Sequence, residues 1–139
     1  MDKNKIIQII LVLVIIISAL VSGYILLKPS GQAPPQTAGS LVPMVDGKQM
    51  MQMTVFAAEY GPNYFKVKAG VPVRWEITSS GQPGCNSGAL VSNLLPNGQV
   101  YLNPNQGEVT IAEFTPQSAG TYKFSCTMNM VRGTIEVIN

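Results

Sequence analysis

From Lys48 to Asn139, hydrophobic residues recur at every second position in short runs broken by Gly, Pro and Asn. "MQMTVFAA" sets Met51, Met53 and Val55 on one face against Gln52 and Thr54 on the other. "YFKVKAG" opposes Phe65 and Val67 to Lys66 and Lys68. "VPVRWEIT" opposes Val73, Trp75 and Ile77 to Arg74, Glu76 and Thr78. "EVTIAEF" and "TYKFSC" alternate in the same way, and "GTIEVIN" closes the chain with Ile135 and Val137 inward. Side chains alternate sides along a strand but not along a helix, so this period predicts about seven or eight short strands in an all-β domain, a Greek-key sandwich or barrel. Trp75 is the expected anchor between the sheets. "SSGQPGCNSGALVSNLLPNGQV" is rich in turn formers and reads as a long connection ending in a strand.

Residues 6–27, "IIQIILVLVIIISALVSGYILL", are nearly all apolar. As a helix they would span roughly 33 Å, enough for a bilayer core of about 30 Å. A cleaved signal peptide is the rival reading, with Lys3 and Lys5 as its positive flank. The run exceeds the usual signal core, however, and "YILL" continues past the small residues of "VSG". The expectation is a retained membrane anchor. Lys3 and Lys5 outweigh Lys28, which places residues 1–5 in the cytoplasm and the remainder outside it. Residues 28–47 contain the Pro- and Gly-rich stretch "KPSGQAPPQTAGS" and read as a flexible linker. That leaves 48–139 as one folded domain of ordinary size.

The chain of 139 residues has no histidine. This removes Ser–His and Cys–His catalysis and takes imidazole out of any metal site. The net charge of +2 is scattered, without the basic stripe that nucleic acid requires. Asp46, Glu59, Glu76, Glu108, Glu113 and Glu136 fall on outward strand positions or near turns, and no pair is spaced for acid–base work. A binding role is therefore expected rather than an enzyme.

"FSCTMNM" places Cys126 beside Met128 and Met130, and the only other cysteine is Cys85. Three readings are open. Cys85 and Cys126 could form a disulfide, which over such a loop would stabilise by roughly 4 kcal/mol. They could be unrelated buried thiols. Or they could belong to a soft-metal site, since thiolate and thioether sulfur favour Cu(I). In a flat strand, alternate residues stand nearly 7 Å apart, too far to share one ion, so the third reading needs the chain to curl after Cys126. Asn129 tolerates unusual backbone angles, and Gly133 is a candidate hinge.

The C-terminal half, "EFTPQSAGTYKFSC" followed by a short loop and "GTIEVI", resembles the cupredoxins, as does "YGPNYFKVKAGVPVRWEITSSGQPGCN" upstream. The similarity covers about residues 50–139. It is nearest to cupredoxin-like domains of bacterial iron- and copper-handling envelope proteins, among them a variant with "GCN" upstream and "FSC.M.M..G" downstream that occurs near heavy-metal transport modules. The resemblance implies a Greek-key β-sandwich and a metal set of Cys85, Cys126, Met128 and Met130. Cys85 falls where the first ligand, usually His, lies; Cys126 matches the ligand cysteine, Met130 the methionine near the loop's end, and Met128 the region of the second His. With both histidines missing, a blue-copper electron carrier is disfavoured and Cu(I) is the expected metal. Two thiolates on Cu(I) make a negative centre that Lys123 or Arg132 could offset. The expected role is copper binding, delivery or sequestration, with a copper transporter or another metal-handling membrane protein as partner and no nucleic acid. A metal-free interaction or assembly domain with a Cys85–Cys126 disulfide, or a copper electron carrier, are the alternatives.

Overall fold

The computed structural model describes residues 5, 8, 10–18, 39–81, 84 and 88–139. The chain divides into two compact units, Met1–Gln32 and Ala33–Asn139. In the first, residues 10–18 are helical and exposed. Among the described residues no helix is long and apolar enough to cross a membrane. Residues 6, 7, 9 and 19–27 of the expected anchor lie outside the described residues.

The second unit is all-β, with ten strands: β1 (Met44–Val45), β2 (Lys48–Val55), β3 (Tyr60–Gly61), β4 (Tyr64–Lys68), β5 (Val73–Ser79), β6 (Ala89–Ser92), β7 (Gln99–Tyr101), β8 (Val109–Phe114), β9 (Gly120–Cys126) and β10 (Arg132–Ile138). One sheet runs β1-β2-β5-β8, with β3 also on β2; the other runs β4-β10-β9-β6-β7. The β2/β5 and β4/β10 pairs are parallel. The alternation read from the sequence fixes the inner faces: Met51, Met53, Val55, Val73, Trp75 and Ile77 from the first sheet meet Phe65, Val67, Phe124, Ile135 and Val137 from the second in one core.

Trp75 is fully buried, as its place in "VRWEIT" predicts. Its ring centre lies 5.0 Å from Phe124, 6.1 Å from Phe65 and 6.4 Å from Phe114, all edge-on. Edge-on pairs set a positive ring edge on a negative face and add about 0.5–1.5 kcal/mol each beyond burial. Ala112 of β8 sits opposite Trp75 in the ladder. This small neighbour beside the indole sets which face of "VTIAEF" turns inward: Ala112 and Phe114 are buried, while Val109 and Ile111 are each 47% exposed.

Folded structure starts earlier than Lys48. Val42 is in the core and Leu41 bridges to Lys66. Met44 and Val45 pair with Gln49 and Lys48 around a two-residue turn, Asp46-Gly47. Both turn residues have positive φ, 50° and 75°, which matches a tight hairpin turn whose twist suits the flanking strands. The Asp-Gly signal lay inside the stretch read as linker. The ten strands exceed the expected seven or eight because β1 and β3 have only two residues each.

Candidate metal centre

The strand directions gather a set of loops at one end of the sandwich. β2 and β5 run parallel and finish there, β9 finishes there with Cys126, and β6, β8 and β10 begin there. The loops are tied to one another. Gly107 N–H donates to the Ser79 carbonyl, Leu102 N–H to that of Gly88 and Thr134 N–H to that of Asn63. Gly84 lies so close to the 56–59 turn that a β-carbon there would stand 2.2 Å from the Ala57 carbonyl oxygen. The residue before Cys85 is thereby held against that turn, a contact with no signal in the sequence.

Cys126 is the last residue of β9, paired with Leu90 and 1% exposed. It is disulfide-bonded. Among the described residues no cysteine is free, and Cys85, the chain's other cysteine, lies outside them. The chain curls directly after Cys126. Cys126 N–H donates to the Val131 carbonyl at 3.1 Å, and Asn129 N–H donates to the Cys126 carbonyl at 2.9 Å. Asn129 takes φ 57°, the left-handed conformation that asparagine tolerates better than most residues. Arg132 Nε donates to the Asn129 carbonyl and braces the turn.

Met128 and Met130 stand on this loop, 64% and 67% exposed, beside the buried Cys126. The other described methionines divide differently. Met51 and Met53 are core, Met50 is buried on the outer side of β2, and Met44 is exposed on β1. Met51 and Met53 are therefore packing residues. Among the described residues no three His, Cys, Asp or Glu side chains cluster for a metal.

Gly133 is no hinge. It is buried within β10 opposite Phe124, and its φ is not in the left-handed region. Lys123 does not share a face with Cys126: in β9 Phe124 and Cys126 turn inward, while Lys123 and Ser125 take the alternate, outward face.

The fold, with this loop at its end, agrees with a comparison of the whole sequence. The family model described as "cupredoxin-like domain" matches residues 20–137. The chain belongs to the cupredoxin-like domain family. Among solved structures, this cupredoxin-like domain is similar to the metal-binding domain, with Cu(I), of the Cu(I)-exporting P-type ATPase CopA of Streptococcus pneumoniae D39. The TM-score is 0.62 at 20% identity, over 74% of this chain and 100% of that one. It is also similar to a copper binding protein in the apo form, with TM-score 0.62 and 28% identity over 72% and 97% of the two chains. Reduced auracyanin from Roseiflexus castenholzii shares the fold at TM-score 0.50 and 14% identity, over 65% and 97%. No curated protein sequence matches the chain.

On the outer face of the second sheet, the cupredoxin-like domain carries an ionic cluster. Tyr64 Oη donates to Glu136, and Lys66 Nζ lies 3.2 Å from the same carboxylate. The tyrosine hydrogen bond first, then the lysine, holds the Glu136 carboxyl below its ordinary range. The same hydrogen bond to Glu136, then burial and the carboxylate's charge, pushes the Tyr64 phenol up.

Proposed function

We propose that this protein is a membrane-anchored, extracytoplasmic cupredoxin-like protein that binds Cu(I) through sulfur, to deliver or sequester it rather than to catalyse a reaction. The observation that carries the reading is the pair Met128 and Met130, held exposed on a five-residue loop directly after the buried Cys126. Burying a methionine stabilises by about 1.5–3 kcal/mol, which Met51 and Met53 realise and these two forgo. Exposed thioethers beside a cysteine are soft donors, and a chain without histidine offers Cu(II) little. The neighbours described as the Cu(I)-bearing domain of a copper-exporting ATPase and as a copper binding protein support the same metal.

Cys85, Cys126, Met128 and Met130 would hold the ion. The disulfide at Cys126 must first open. A dithiol reductant supplies two electrons and two protons, becoming a disulfide itself, and each cysteine gives up its proton as the metal binds. Membrane attachment is supported by the apolar run at 6–27 and by its helical residues 10–17, whose Ile, Leu and Val side chains are about half exposed or more. The lysine bias supports an orientation with the folded domain outside the cytoplasm, where a copper transporter or another metal-handling membrane protein is the natural exchange partner.

Titration of the reduced full chain with Cu(I) is expected to show about one equivalent bound, lost in Cys126→Ser and weakened in Met128→Leu and Met130→Leu. Absence of tight binding by the reduced chain would rule the reading out. The disulfide favours a second reading, a metal-free interaction domain stapled at Cys126. That reading expects an intact mass short of two hydrogens that neither mild reductant nor copper alters.

A further inference from the structure

The side-chain charges of the β-domain cancel in number but not in place. Between Ala33 and Asn139, Lys48, Lys66, Lys68, Arg74, Lys123 and Arg132 face an equal number of carboxylates: Asp46, Glu59, Glu76, Glu108, Glu113 and Glu136. Yet Lys66, Lys68, Lys123 and Arg132 all lie on the outward positions of β4, β9 and β10, with Glu136 the one carboxylate on those strands. The ladder sets them side by side: Lys123 is opposite Thr134, Tyr64 flanks Thr134 from the other strand, and Lys66 is opposite Glu136. The first sheet pairs its cations, Lys48 with Glu113 and Arg74 with both Glu76 and Glu113. Lys123 and Arg132 have no carboxylate within ion-pair distance among the described residues.

These two cations line one concavity of about 460 Å³ with Asn63, Tyr64, Asn129 and Thr134. Lys123 Nζ donates to Thr134 Oγ1 at 2.8 Å, and Arg132 commits its Nε to the Asn129 carbonyl. Both heads are thus steadied by neutral acceptors, while the lysine's other hydrogens and the guanidinium's terminal nitrogens meet no acceptor among the described residues. Asn129 belongs at once to this concavity and to the turn after Cys126.

We propose that this face is the docking surface for an acidic protein, one of whose carboxylates enters the concavity between Lys123 and Arg132. A recess with convergent donors suits a projecting side chain better than a flat layer of lipid headgroups. A neutral domain with one positive face orients an acidic partner as it approaches. The position beside Asn129 brings that partner to the methionine loop. The inference deepens the copper reading by naming the face on which a metal-exchanging protein sits, and to that extent rests on it.

The test uses the full chain in zwitterionic detergent, without copper, followed by amide NMR. A glutamate hexapeptide is the probe, against inorganic phosphate and phosphatidylglycerol vesicles. The peptide is expected to shift Tyr64, Lys123, Arg132 and Thr134 and to weaken as salt rises. Lys123→Gln and Arg132→Gln should each reduce its affinity about fivefold, with Lys48→Gln on the other sheet unchanged. Phosphate binding as tightly as the peptide would overturn the proposal in favour of a small-anion pocket. Vesicle binding that depends on Lys123 and Arg132, without peptide binding, would overturn it in favour of a lipid surface. Peptide binding indifferent to both substitutions would also overturn it. Since copper is absent throughout, failure here leaves the Cu(I) titration intact, and failure of that titration leaves an acidic-protein docking face without the metal.

Discussion

The ring of Phe124 occupies the space that a side chain on Gly133 would need. The two residues face each other across β9 and β10, and a β-carbon on Gly133 would lie 2.0 Å from Phe124 Cζ and 2.5 Å from both ring atoms beside it. Phe124 cannot yield, because Tyr60, Phe65 and Trp75 pack around it at centroid distances of 5.3, 6.2 and 5.0 Å. Gly133 also follows Arg132 at the start of β10, so this contact anchors the far end of the loop carrying Met128 and Met130.

Gly133→Ala should therefore overpack the core at its aromatic centre. We expect a loss of about 3 kcal/mol in denaturant unfolding, at the upper end of overpacking costs. Phe124→Leu, combined with Gly133→Ala, should recover part of the loss by vacating the contested space. A single substitution as stable as the native chain would mean that the ring is free to move.

Gln49 is a polar residue on the inward face of β2, 1% exposed, whose side-chain hydrogen bonds run to Lys68 at the end of β4 and to Val71 just beyond it. Its Nε2 donates to the Lys68 and Val71 carbonyls, each at 3.1 Å, and its Oε1 accepts from Lys68 N–H at 2.6 Å. Gln49→Ala strands those backbone groups and is expected to cost about 3 kcal/mol. Urea unfolding measures it, and a cost below that of an exposed control such as Gln117→Ala would refute this role.

Tyr60 supplies a prediction of opposite sign. Its hydroxyl is buried without a hydrogen-bond partner among the described residues, and burial pushes the phenol up to about 12. The folded state holds this proton more tightly than the unfolded chain, whose value is about 10. The stabilisation is complete below pH 10 and is lost as pH rises through about 12. Tyr60→Phe should be neutral or stabilising by up to about 1 kcal/mol near pH 7, and should flatten the alkaline arm of the stability profile. Tyr64, raised by Glu136, leaves a smaller residual slope in the same direction. An unchanged alkaline arm would show that Tyr60 is not the group responsible.

Period-2 spacing was enough to place Trp75, Phe65 and Val67 in a sandwich core, because a strand has only two faces and one of them must be dry. It also showed that a soft-metal site would need a curl after Cys126, since flat-strand geometry keeps alternate sulfurs apart. Two residues show where such local arguments stop. Gly133 reads locally as flexibility, yet its reason is an aromatic ring on the neighbouring strand. Lys123 reads as near Cys126 in sequence, yet pleating turns it to the opposite face.

The sequence by itself determined the all-β class, the inward faces of most strands, the absence of imidazole chemistry and the sulfur character of the loop after β9. Each of these depends on residue type and on neighbours two or three positions away. Tertiary structure decided the strand order, the inward register of β8 through Ala112 beside Trp75, the inclusion of Val42 in the core and the exposure of Met128 and Met130 next to a disulfide-bonded Cys126. It also gathered four cations onto one sheet face. These features depend on which strands become neighbours, and neighbours are selected by burying two sheets against one another, a condition that residues far apart in the chain satisfy together.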